Sequence, residues 1–130
     1  MKEATFTSFL RTPRVVAALA EQGGVLITRR DAADLVLLRA SDLENRQAGI
    51  ALVAQLVRAV LRSRDMAAAL RELFAWTSLL NDGELTACAC ELEKQFWAAA
   101  ELGEYDALLV VVAGWRSTAR SRASGVSLGV

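Results

Sequence analysis

Two short apolar runs set across a polar break limit the fold more than any other feature of this chain. Val25-Leu26-Ile27-Thr28 is β-branched and apolar, Leu35-Val36-Leu37-Leu38 is the second run, and Asp31 to Asp34 lie between them. Such a pair reads as a hairpin. The break holds no glycine, so a tight two-residue primed turn is disfavoured and a looser four-residue loop is expected. Upstream, residues 2 to 6 can form a short first strand and Ser8 to Arg11 one helical turn. Pro13 suits the first turn of a following helix, where the N–H it lacks would be unpaired anyway. That helix carries Val15, Val16, Ala18, Leu19 and Ala20 and is expected to stop at Gly23-Gly24.

Beyond the hairpin the apolar spacing becomes helical. Ser41 with Glu44 forms a potential capping box. Leu43, Ile50, Val53, Ala54, Val57, Val60 and Leu61 then recur at helical spacing up to about Arg62. Asp65 can cap a further helix with Met66, Leu70, Leu73, Phe74 and Leu80 on one side, and Asn81-Asp82-Gly83 reads as a turn. A third long helix carries Leu85, Cys88, Leu92, Phe96, Ala99 and Leu102 up to Gly103, and a last one carries Tyr105, Leu108, Leu109, Val112, Trp115 and Ala119. The expected fold class is α+β: three short strands with helices, then a mainly helical module. The expected divisions are residues 1–62, residues 63–123 and a frayed tail at 124–130.

Composition excludes several functions. With 54% hydrophobic residues and a single proline among 130 residues, the chain has material for a core and is not a disordered type. The longest apolar run, Ala107 to Gly114, is too short to cross a bilayer, and the first residues lack a signal-peptide pattern. A cytoplasmic protein is expected. Fifteen basic and fifteen acidic residues cancel, so anion binding requires local clustering. Arg46, Arg58, Arg62, Arg64 and Arg71 make residues 46–80 basic, whereas Asp82, Glu84, Glu91, Glu93, Glu101 and Glu104 make residues 81–104 acidic. There is no histidine to serve as a general base, and Cys88 and Cys90 alone cannot complete a tetrahedral metal site. Neither GxGxxG nor GxxxxGK[ST] is present. The expectation is a non-enzyme with no catalytic residue, metal or cofactor.

The order of short strand, broken helix, Gly-Gly, Val-Leu-Ile-Thr-Arg-Arg, apolar strand and Ser-Asp-Leu-Glu resembles the Phd/YefM (prevent-host-death) family of type II antitoxins over residues 1 to about 45. The resemblance implies a homodimer whose sheets join side by side and whose basic residues grip operator DNA. The family's basic positions map onto Arg11 and Arg29, with Lys2, Arg14 and Arg30 placed by proximity. The chain departs from the family in its loop, where Asp31-Ala32-Ala33-Asp34 replaces the usual glycine. A monomer offering so few guanidinium groups would bind DNA weakly, and a two-fold dimer doubles the contacts.

The resemblance further implies that the C-terminal region neutralises a toxin, of RelE/ParE type first, with a Doc-like or PIN-domain toxin as alternatives. Candidate contacts are Trp76, Trp97, Trp115, Glu91 and Glu101, the acids facing a basic partner. The apolar content of residues 65–122 predicts ordered helices instead of an open tail. A competing reading is a helical adaptor that kept an antitoxin-like N-terminus and lost DNA binding.

Overall fold

A computed structural model of the chain describes residues 1–125 and is α+β, with a three-stranded sheet and six α-helices among those residues. The elements are β1 (Lys2–Thr5), α1 (Phe6–Arg11), α2 (Pro13–Glu21), β2 (Val25–Thr28), β3 (Leu35–Leu37), α3 (Ala40–Ser63), α4 (Met66–Leu73), a 3-10 helix (Ala75–Leu79), α5 (Asp82–Leu102) and α6 (Asp106–Ala123). They fall into two compact units, Met1–Glu44 and a second beginning at Asn45. The expected boundary was at 62/63. Most of α3 goes with the second unit because Leu52, Leu56 and Ala59 are buried, Leu52 and Leu56 within the helical core. Among the described residues no helix is long and apolar enough to cross a membrane.

In the first unit the strand order is β1-β2-β3. The expected hairpin is present: β2 runs antiparallel to β3, with Val25 opposite Leu37 and Ile27 opposite Leu35. β1 runs parallel to β2, pairing Lys2 with Val25 and Thr5 with Thr28. Parallel neighbours need a crossover, and α1 and α2 supply it. The central strand alternates, with Val25 and Ile27 fully buried beneath Val16 and Ala20 of α2, and Ala4, Phe9, Leu19 and Leu37 closing the rim. α1 starts at Phe6, two residues before the expected turn, because the Thr5 hydroxyl accepts the Ser8 amide at 3.0 Å as an N-cap. Pro13 occupies the first turn of α2, and the chain leaves that helix through Gly23 at φ +134°, a conformation that glycine alone adopts readily.

Ser41 is not the cap of α3. The helix starts at Ala40, and the Arg39 carbonyl already accepts the amides of Asp42 and Leu43. The Arg39 guanidinium closes on the Asp42 carboxylate at 3.0 and 3.1 Å, placing an acid in the first turn, where the helix dipole favours it.

The second unit is built around Leu56, Leu70, Leu92 and Leu108, all at 0% exposure, with Phe96, Val112 and Ala119 beside them. Asp65 caps α4 by accepting the Ala68 amide, as its position predicts. Asn81 does not open a free turn. It caps α5 in a full capping box, its side chain accepting the Glu84 amide at 2.8 Å while Glu84 accepts the Asn81 amide at 3.0 Å. α5 ends at Gly103 in the left-handed region, φ +69°. Buried Leu85, Cys88, Leu92, Phe96 and Ala99 form its expected inner face, whereas Leu102 is exposed beyond the core. Ser124 and Gly125 close α6 in a turn, and the rest of the expected tail lies outside the described residues.

Helix α3 is the main surprise. Its buried residues are Gly49, Leu52, Leu56 and Ala59, while Leu43, Ile50, Val57 and Leu61, which recur at the expected helical spacing, are exposed. The helix therefore has two apolar sides, and only one is covered in the single chain.

Candidate nucleic-acid interface

In the first unit a cleft of about 620 Å³ opens beyond the carboxyl ends of the two parallel strands. Thr5, Phe6 and Thr7 line it from the junction of β1 and α1. Thr28, Arg29, Arg30, Asp31 and Ala32 line it from the end of β2 and the loop that follows. The parallel register creates this juxtaposition by setting Thr5 directly beside Thr28.

The two arginines are held differently. Arg29 is half-buried, and its Nε donates to the Ala33 carbonyl at 2.8 Å, tying the guanidinium to the loop and leaving its terminal nitrogens as donors. Arg30 is exposed, and among the described residues its side chain makes no hydrogen bond or ion pair. Neither arginine is neutralised by Asp31 or Asp34, although Asp31 lines the same cleft and weakens its positive potential. Phe6 is 36% exposed at the cleft and packs its ring against Phe9 at 6.4 Å. The cleft thus gathers two guanidinium groups, three hydroxyls, of which those of Thr5 and Thr28 are hydrogen-bonded to Ser8 and Ala4, and an aromatic ring.

The other basic candidates are not brought into the cleft. Lys2 sits at the opposite end of the strand pair, beside Val25 and roughly 13 Å from Arg29 at about 3.3 Å per residue. Its ammonium donates to Gln22 at 3.0 Å. Arg11 closes α1 and Arg14 stands in the first turn of α2; both are exposed, and neither lines the cleft. Thr5, Phe6, Thr7 and Thr28 were missed as site residues because nothing in the sequence announces a parallel register between β1 and β2.

The candidate toxin contacts of the second unit separate by burial. Trp76 is half-buried, stacked on Phe74 at 5.2 Å, and packed against the helical core. Trp115 is likewise half-buried, and its indole N–H donates to Glu91 at 3.1 Å, joining α6 to α5. Trp97 is 59% exposed with its edge against Phe96 at 5.1 Å, and Glu101 is exposed on the same helix. Of the five, Trp97 and Glu101 are available to a partner, while Glu91 is already engaged.

The cysteines differ sharply. Cys90 is exposed, whereas Cys88 is buried and its thiol is pushed up to about 11, first by loss of water and then by the neighbouring Glu91 carboxylate. A thiol so held is protonated at neutral pH, a packing group and not a nucleophile. No set of three or more acidic, cysteine or histidine side chains suited to a metal occurs among the described residues.

Comparison with protein-family models, with curated proteins and with solved structures finds no match for this chain.

Proposed function

We propose that the chain is a non-enzymatic, cytoplasmic antitoxin of a type II toxin–antitoxin system, binding its own operator DNA as a homodimer through the first unit and a small toxin through the second. The observation that carries this reading is the cleft at the carboxyl ends of β1 and β2, where Arg29 and Arg30 stand together without a carboxylate partner. Two copies related by a two-fold axis would present both pairs to a palindrome. Trp97 beside Glu101 supports a toxin contact, since an exposed aromatic anchor near acidic charge fits a basic protein surface. A RelE/ParE-type toxin fits that charge best, with Doc-like and PIN-domain toxins as the other possibilities.

The test is a gel shift against the sequence upstream of the chain's own reading frame. Binding should fall steeply with salt, and Arg29→Ala with Arg30→Ala should weaken it about tenfold or more, each guanidinium contact contributing about 1–3 kcal/mol. Arg11→Ala tests the remaining family position. No shift at low salt would overturn the DNA reading. It would favour the adaptor alternative, which draws its support from Asp31 in the cleft and from the self-contained helical core of the second unit.

A further inference from the structure

We propose that the bare side of α3 is a self-association surface, packing against the same helix of a second copy in antiparallel orientation. Leu43, Ile50 and Val57 follow one another every seven residues, and Gln47, Ala54 and Leu61 fall four residues after each of them. This is the alternation of a two-helix seam. Leu43 is 46% exposed, Ile50 52%, Val57 40% and Leu61 73%, so the seam lies open in the single chain. The opposite side of α3, through Leu52 and Leu56, is already used by the core of the second unit. A monomer gains nothing from a second apolar stripe, and contiguous exposed apolar surface of this kind marks an interface.

The seam is its own complement. In an antiparallel pair, Leu43 falls opposite Leu61 of the second copy, Gln47 opposite Val57, and Ile50 opposite Ala54, so each large side chain on the two central layers meets a smaller or flexible one. The charges beside the seam choose the direction. Glu44 and Arg58 occupy equivalent flanking positions near its two ends, and among the described residues neither has a hydrogen-bond or ion-pair partner. Arg62 is already paired with Glu72 of α4 and does not compete. Antiparallel packing brings Glu44 of each copy beside Arg58 of the other, twice by symmetry. A parallel pair sets Arg46 against Ala51 and Arg58 against Val53, and the one opposite charge the same offset brings to Glu44 is Arg39, which precedes the helix and already closes on Asp42. The second copy is therefore the occupant that fits both the apolar pattern and the charge.

This inference rests on the proposed homodimer only for the existence of a dimer and names α3, in place of a sheet-to-sheet contact, as the surface that holds it; its test is the mass of the full chain in solution. Sedimentation equilibrium should give a dimer. Ile50→Glu with Leu61→Glu should halve the mass while circular dichroism retains the helical signal, because both side chains are exposed in the single chain. Glu44→Arg alone and Arg58→Glu alone should each raise the dimer dissociation constant several-fold, and the two changes together should restore it. A monomeric wild type, a dimer indifferent to Ile50→Glu with Leu61→Glu, or a charge reversal that is not rescued by the double change would each overturn the proposal. A gel shift on the same variants is read separately and reports on the DNA surface.

Discussion

At the level of single residues, Gly49 shows how a contact can be invisible in a sequence. It lies inside α3, where glycine costs about 1 kcal/mol relative to alanine, yet a β-carbon there would sit 2.1 Å from the β-carbon of Tyr105. The close approach of Tyr105 requires the missing side chain. Gly49→Ala should therefore destabilise the chain by about 1–3 kcal/mol despite its higher helix propensity, as urea denaturation would measure. Cys88 offers a second test. Its thiol ionises near 9 when unfolded and near 11 when folded, so between those values the unfolded state releases a proton that the folded state keeps. Stability from this residue is complete below pH 9 and declines by about 2–3 kcal/mol as pH approaches 11. Cys88→Ala should lose that part of the alkaline decline in denaturation midpoints. At pH 8 a thiol reagent should modify Cys90 quickly and Cys88 only on unfolding.

At the level of elements, legibility in the sequence follows how local the cause is. The hairpin, the Pro13 start, the Asp65 cap and the Gly103 stop were readable because each depends on residues a few positions apart. The capping box at Asn81 was local too, but an Asn-Asp-Gly triplet serves equally as a turn, and only the reciprocal bond from Glu84 decides between them. Glu84 does more than complete the box, because its other oxygen accepts Nη2 of Arg122 at 2.7 Å and so ties the start of α5 to the end of α6. Asn81→Ala should cost about 1 kcal/mol, and Glu84→Ala should cost more because it removes both the cap and the bridge, a difference chemical denaturation can resolve. The two sides of α3 were not separable, because apolar residues at helical spacing do not say which side meets a core. The cleft was only half legible: Arg29 and Arg30 stood out, but the threonines beside them depend on a strand pairing that spans the whole crossover.

At the level of the whole molecule, the two cores are unequal. Among the described residues the first rests on four buried side chains, Val16, Ala20, Val25 and Ile27, and the second on thirteen. Burial of so little apolar surface leaves a unit of this size marginal without further support. Hydrogen exchange should therefore find the amides of β1–β3 less protected than those of α5 around Leu92. A truncation ending at Glu44 should be largely unfolded by circular dichroism. Leu92→Ala should cost about 2–5 kcal/mol and lower the midpoint of the helical transition by that amount, as urea denaturation followed by circular dichroism would measure.

The sheet's mixed pairing also dictates an order of assembly. β2 and β3 meet across residues 29–34, whereas β1 must find β2 across residues 6–24. The nearer pair closes with the smaller entropic penalty and can nucleate, while the parallel strand joins late, after α1 and α2 have condensed. The crevice holding Arg29 and Arg30 needs that later arrival, so the surface proposed to read DNA exists only once the longer of the sheet's two loops has closed.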